Sequence, residues 1–484
     1  MRISSSCLPL VAGAGLLLAA FALSAPLNHD ESQYVAGAVL AAGRVPFRDF
    51  LALQPPLALW AWAPLTLALP GWSFVAIRLS SALFGLVTLI AVANAERRVG
   101  SRWRWPIGAA LLACSHIFLF TSGVARNDAL PGMLLALGMA AGLRGIEGRA
   151  GWLGLCGLLL GAAGAAKLSF LPSLATAGLL LIVWHRKIGI GGVAAFSVAA
   201  LLGLLPLTLG WAAAPEAFWF GVFRAGATIP FDWYRQTGDA FDLTLTGKLI
   251  GTAGAMLVGP VLVVFLVVAA DAQRLARDPA KLFLLVLAAG GLVGGLLPTP
   301  THPQYLLPLL PPLFALLPAT VERVQRPGFV LAVLVVFAII GAAPSVLALP
   351  RGFPAIELER QAHVIGRLAK GPIATLSPDR VADSGWPLDA RFATGPFVFR
   401  SGSVLSPEQA LNFNVAIPAA LAAMFAAAPP AAILVGYEKE WRAGAPAPDQ
   451  PLELWARAHG YRALPLSDGR GRLYLAPDRS GDKP

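Results

Sequence analysis

Along the first 350 positions, apolar runs long enough, or nearly long enough, to cross a bilayer come one after another, each ended by a short polar, basic or Pro-rich connector. A helix needs about 20 apolar residues to span the hydrocarbon. Because lipid offers no partner to backbone N–H and C=O groups, such runs can cross only as helices. The runs are Leu8 to Ala25, Ser73 to Ala95, Trp105 to Thr121, Ala129 to Leu143, Gly151 to Ala166, Leu168 to Trp184, Ile188 to Ala212, Leu245 to Ala270, Leu282 to Leu297, Tyr305 to Val321 and Gly328 to Leu349. They predict an all-α polytopic membrane domain of about eleven transmembrane helices.

The charge balance agrees. Hydrophobic residues make up 57% of the 484-residue chain and charged ones 13%, with a mean hydropathy of +0.68; a soluble domain carries about a quarter charged residues. The net charge of +11 is scattered in small clusters between apolar runs rather than gathered on one face, which speaks for topology signals and against nucleic acid. Cys7, Cys114 and Cys156 sit within apolar stretches without metal-ligand spacing and read as small hydrophobes. Arg2, the run from Leu8 and the small residues ending at Ala25 also fit a signal peptide; with or without cleavage, the residues after Ala25 lie on the far side of the membrane.

The connectors alternate in character. Arg97, Arg98, Arg102 and Arg104; Arg144 and Arg149; Arg186 and Lys187; Arg274, Arg277 and Lys281; and Arg323 and Arg326 form a basic set that the positive-inside rule puts in the cytoplasm. The connectors 28–72, 122–128, the turn at Lys167, 213–244 and 298–304 then face outward, as does everything after Pro350. Pro55 to Pro70 is apolar enough to span, but counting it would put both charge classes on one face; it is therefore an interfacial or re-entrant segment. The expected division is a membrane domain over 1–350, with its outer loop at 26–72, and a small outward α/β domain over 351–484. In the latter, Ala355 to Ala369 is helical, 372–377, 431–438 and 472–477 are strands, and Glu408 to Ala428 is a helix broken at Pro418. No internal repeat is visible, which argues against a transporter built of inverted halves.

This topology sorts the unusual polar residues onto one side. Asp30, Glu31, Arg44, Arg48 and Asp49 fall in the first outer loop, Arg126 and Asp128 open the fourth run, Lys167 occupies a turn, and His302, Gln304 and Tyr305 open the tenth. A single outward cavity would collect them. Each also has a bland reading: an exposed acidic pair is solvated, Asp128 caps a helix, Arg126 and Lys167 snorkel, and His302 ends a helix. Gly157 and Gly161, spaced as GxxxG, read as helix packing.

Taken together, the motifs resemble those of the GT-C glycosyltransferases of the protein-mannosyltransferase and aminoarabinose-transferase type. The first-loop pattern of that family is matched by Asp30-Glu31, Tyr34, Gly43-Arg44-Val45-Pro46-Phe47, Asp49-Phe50 and Pro55-Pro56-Leu57. "RNDALPG" from Arg126 resembles its second acidic motif, and "THPQYLLPLLPPL" from Thr301 its late Tyr-Leu-Leu-Pro helix. Gln54 stands where many members have His or another ionisable residue. The resemblance covers about the first 320 residues.

The resemblance implies transfer of a sugar from a polyprenyl-phosphate carrier to an outward-facing acceptor, a lipid, polysaccharide or protein; the Ala/Gly/Arg-rich composition suggests a bacterial inner membrane, whose outer face is periplasmic. It makes Asp30 the base, with Glu31 and Asp128 orienting; like-charge repulsion in the pair raises one carboxyl's proton affinity. Lys167 and Arg126, then Arg44 and His302, would hold the carrier phosphate, with Tyr34, Asp49, Gln54 and Tyr305 as further substrate contacts. A single base implies inversion at the anomeric carbon. No cofactor is required; acidic pairs also bind divalent metals, but the resemblance does not demand one. Membrane lipids are the remaining partner. The competing reading is a transporter or flippase for a lipid-linked sugar or another anion, which needs a path to the cytoplasmic face.

Overall fold

The computed structural model describes residues 8–440 and 444–477; Arg2 and Cys7 lie outside the described residues. The chain divides into two compact units, each assembled from separated segments. The first is Met1–Pro26, Arg78–Thr208 and Phe241–Phe353; the second is Leu27–Ile77, Leu209–Ala240 and Pro354–Pro484.

The first unit is helical. Among the described residues five helices are long and apolar enough to cross a membrane, Ser73–Arg98, Ile190–Ala213, Pro279–Leu296, Pro303–Val321 and Pro327–Arg351, and all lie wholly or mostly in it. Four more predicted runs form shorter apolar helices: Leu8–Ser24, Ala129–Gly145, Ala150–Ala166 and Leu171–Val183. Two runs expected to be single crossings are broken. Leu245 to Ala270 is a pair of helices, Leu245–Leu257 and Val261–Ala270, bent by 99°. Gly259 takes a left-handed φ of 118° between them and Pro260 opens the second, so the helix cannot continue. Trp105 to Thr121 is likewise split into Ile107–Ala113 and His116–Gly123, where Ser115 is extended and its hydroxyl accepts from the Phe118 N–H to start a new helix.

Every residue from Leu306 to Val321 is buried, so this all-apolar stretch is the unit's central helix. Close approach elsewhere depends on small residues. A side chain at Gly157 or Gly161 would overlap the carbonyls of Phe196 and Ala200 on the Ile190–Ala213 helix, and the GxxxG pair is a packing face.

The second unit joins the first-loop residues to the C-terminal ones. Its four strands, β1 (Ile373–Ala374), β2 (Ala432–Val435), β3 (Arg462–Pro465) and β4 (Arg472–Leu475), form a sheet in the order β1-β2-β4-β3, with β1 parallel to β2 and the other pairs antiparallel. Helices Glu31–Ala41, Leu57–Ala68, Ala225–Thr237, Pro354–Leu368 and Gln450–Ala458 are among those that accompany it. Sequence reading places three of the strands and the Pro418 break, and misses exposed β3 and the Gln450–Ala458 helix.

Carboxylates from the C-terminal segment start the long Ser73–Arg98 helix. Asp383 accepts from the Ser73 N–H at 3.0 Å and its hydroxyl at 2.8 Å, and Glu359 from the Val75 N–H at 3.0 Å. They satisfy the orphan donors of the first turn. Burial, with the Asp383 carboxylate beside it, pushes Glu359 up to about 9 from an ordinary 4.5. Between those values the folded chain holds a proton that the unfolded chain releases, so this group makes stability fall as pH rises through that window. Glu359→Gln keeps an oxygen for Val75 and removes the titration. Thermal unfolding at several pH values from about 5 to 9 is expected to show a shallower decline in the variant than in the wild type; equal slopes would refute this role.

Candidate functional site

Within the first unit, Arg126, Asp128 and Lys167 converge. Residues 124–128 link the His116–Gly123 helix to Ala129–Gly145, and Lys167 directly follows the Ala150–Ala166 helix in an extended conformation. The Asn127 amide donates to the Ala166 carbonyl at 3.2 Å, tying the link to the end of that helix. Asp128 occupies the first position of its helix but caps nothing with its side chain. Instead one of its oxygens accepts from Lys167 Nζ and the other from Arg126 Nε at 3.1 Å.

All three side chains are buried, at 4% exposure for Arg126, 1% for Asp128 and 5% for Lys167. Two cations share one carboxylate where water is scarce, a setting in which ions persist only when matched by further partners. Aromatic faces supply part of the match: Lys167 Nζ lies 5.0 Å from the Tyr305 ring centre and the Arg126 guanidinium 5.8 Å from that of Phe120. His302 meets Tyr305 edge-on at 5.5 Å. The sequence-predicted Arg126, Asp128, Lys167, His302 and Tyr305 thus form one neighbourhood, and neither capping nor snorkelling describes it.

In the second unit the adjacent acids separate into different environments. Glu31 is fully buried and accepts from the Asn28 N–H at 2.7 Å, while the Asp30 N–H donates to the Asn28 side chain at 3.2 Å. Asp30 starts the Glu31–Ala41 helix without capping it, and 30% of its side chain is exposed. One acid therefore holds the turn and the other is reachable. Tyr34 and Gln54 line one small cavity with Gly37 and Thr394. Asp49 is engaged in the turn itself: it accepts from the Val45 N–H at 2.7 Å and from Arg48 at 2.8 Å, which hold its carboxyl down at about 2. Arg44 is exposed and adds to that effect.

The C-terminal segment brings residues that no motif announced. His29 Nε2 lies 3.0 Å from Glu438, whose other oxygen accepts from the Ser377 hydroxyl at 3.0 Å. The approach requires Gly395, at a left-handed φ of 56°, where a side chain would overlap the Ser32 hydroxyl. Burial, with Glu31 and Glu438 nearby, raises Asp379 to about 6 against the pull of Arg380. Arg400 lies against the rings of Trp233 and Phe397. His29 is legible in the sequence as the neighbour of the DE pair; Ser377, Asp379, Arg400 and Glu438 lie hundreds of positions away and carry no sequence signal. Among the described residues no group of three or more His, Cys, Asp or Glu side chains is placed to hold a metal ion.

No protein-family model matches the sequence, and no curated protein matches it. Solved structures do match. ArnT from Cupriavidus metallidurans bound to undecaprenyl phosphate superposes with a TM-score of 0.57 at 16% identity, covering 99% of each chain. The two share a fold. The same ArnT in the apo state gives a TM-score of 0.58 at 16% identity over 97% of this chain and 98% of that one. The Archaeoglobus fulgidus oligosaccharyltransferase in complex with Zn and sulfate gives 0.53 at 12% identity over 88% of this chain and 67% of that one. The likeness to ArnT covers the C-terminal segment as well, beyond the motifs of the first 320 residues.

The buried cluster has unequal parts. Asp128→Asn removes the carboxylate that two cations share and is expected to destabilise the first unit by about 3–5 kcal/mol, whereas Lys167→Met leaves the Arg126–Asp128 pair and costs less. Unfolding of both variants and the double variant in detergent checks this; equal losses in the two single variants would contradict the shared-carboxylate arrangement.

Proposed function

We propose that this chain is an inverting glycosyltransferase that moves a sugar from a polyprenyl-phosphate carrier to an acceptor on the periplasmic face of a bacterial inner membrane. The observation that carries the reading is the buried Arg126–Asp128–Lys167 cluster, whose guanidinium and ammonium suit a lipid-borne phosphate. The GT-C fold supports it, as does the likeness to an ArnT structure that contains undecaprenyl phosphate.

In the proposed step the acceptor's hydroxyl or amine attacks the anomeric carbon from the face opposite the phosphate. The acceptor's proton passes to Asp30, the bond from the anomeric carbon to the phosphate oxygen breaks, and its electron pair leaves on polyprenyl phosphate. Lys167 and Arg126 stabilise the charge that develops on that phosphate. Asp30 suits the base role because its carboxylate is reachable while Glu31 holds its turn. Asp128 keeps the two cations aimed. His302 and Tyr305 line the same neighbourhood, and Tyr34 and Gln54 shape the substrate side of the first loop. Arg44 is assigned to phosphate approach from solvent, and Asp49 to holding the turn that presents it.

Asp30→Asn keeps size and hydrogen-bonding reach but cannot accept the proton. Its transfer rate is expected to fall about 10²–10⁴-fold, or about 3–5 kcal/mol of barrier, with carrier affinity unchanged. Glu31→Gln is expected to lose less. Lys167→Met is expected to weaken carrier binding instead. Near-wild-type turnover in Asp30→Asn would remove the base assignment, and unchanged carrier affinity in Lys167→Met the phosphate assignment. For sidedness, alkaline phosphatase fused after Gly352 is expected to be active and a fluorescent protein there dark; the reverse would overturn the periplasmic placement.

A further inference from the structure

Arg400 ends the short Pro396–Arg400 helix of the second unit. Its guanidinium carbon is 3.8 Å from the Trp233 ring centre and 4.9 Å from that of Phe397. Such stacking satisfies the face of a guanidinium but none of its N–H donors, which lie in the guanidinium plane. Among the described residues the Nε hydrogen is buried and has no hydrogen-bond partner. The carboxylates that act on Arg400 electrostatically are Glu438 and Asp30. Both oxygens of Glu438 are already engaged, one with His29 and one with Ser377.

Burial lowers Arg400 to about 10, against the opposing effect of Glu438, Asp30 and Tyr234, so it stays charged at neutral pH. A fold that desolvates an arginine and leaves its Nε donor unmatched sacrifices stability, since buried polar groups are nearly always hydrogen-bonded. A ligand that matches that donor on binding recovers the loss. The planar fork suits a two-oxygen anion, and the neighbouring Asp30 puts that anion beside the proposed base.

We propose that Arg400, held against Trp233 and Phe397, is a binding residue for an oxyanion, phosphate or carboxylate, carried by one of the substrates. The inference rests on the transfer reading for which molecules those are; the anion is borne either by the lipid carrier or by the acceptor. Arg400 extends the recognition surface to the C-terminal segment, to which no motif assigns a role.

The test is binding without turnover. Full-length protein in nanodiscs is titrated with polyprenyl phosphate and, separately, with inorganic phosphate and with glucuronate as soluble mimics of an acidic acceptor group. Arg400→Gln is expected to bind at least one of these about tenfold more weakly while its melting temperature is unchanged or higher, because an unmatched buried charge is gone. Loss confined to polyprenyl phosphate assigns the oxyanion to the carrier, and loss confined to a soluble anion assigns it to the acceptor. Unchanged affinity for all three overturns the proposal. Should Arg400→Gln fail to fold, Arg400→Lys, which keeps the charge but not the planar fork, decides on the same titrations: about tenfold weakening supports the proposal and wild-type affinity overturns it. Lys167→Met run alongside separates the two readings. If it alone loses carrier affinity while Arg400→Gln binds every probe normally, only the role of Arg400 fails. If the wild type binds no polyprenyl phosphate, the transfer reading fails, and the soluble anions still decide on Arg400.

Discussion

One carboxylate shared by two cations inside an apolar helical unit is the arrangement on which the site depends. Asp128 brings Lys167, at the end of one helix, and Arg126, in the link before another, to a single point. Removed from water, the three charges attract far more strongly than at a surface, but each also forfeits hydration, so the cluster persists only if the surroundings complete it. Tyr305 and Phe120 rings face the cations, and Asn127 anchors the link to the Ala166 carbonyl. Two cations are thereby fixed beside one another in low dielectric, the setting to which the proposed function assigns a lipid-borne phosphate.

The second unit applies the opposite sign. Its first-loop segment carries Asp30 and Glu31, and its C-terminal segment surrounds them with Asp379 and Glu438. Burial, helped by the neighbouring acids Glu31 and Glu438, favours a protonated carboxyl at Asp379. Glu31 is fully buried and accepts from the Asn28 backbone, while Asp30 is only half-buried. Arg400 is a cation near two of these acids, Asp30 and Glu438, and its stacking on two rings holds it in place without consuming its donors.

Much of this is legible in the sequence, and the reasons differ by element. The five long helices follow from continuous apolar runs, and Lys167 stands out because a charge in such a run demands a partner. The breaks at Ser115 and Gly259 escape sequence reading, since window hydropathy stays high across one Ser or a Gly-Pro step while hydrogen bonding and backbone conformation do not carry through. Asp128 reads in the sequence as either a cap or an orienting group; only its geometry shows both oxygens committed to cations. The partnership of the first loop with the C-terminal segment is invisible there because Ser73–Asp383 and His29–Glu438 join positions with no local pattern in common. Strand β3 escapes for a simpler reason: an exposed edge strand has no buried face to impose alternation.

The central claim is that the carrier gives up its sugar rather than being carried across intact. Purified protein in nanodiscs, supplied with polyprenyl phosphate bearing a radiolabelled sugar and with an envelope extract as the source of acceptor, addresses it directly. The account requires one free polyprenyl phosphate for each labelled sugar attached to acceptor, with the anomeric configuration inverted. A carrier recovered fully glycosylated, and in proteoliposomes moved from one leaflet to the other, would contradict it and establish a flippase instead.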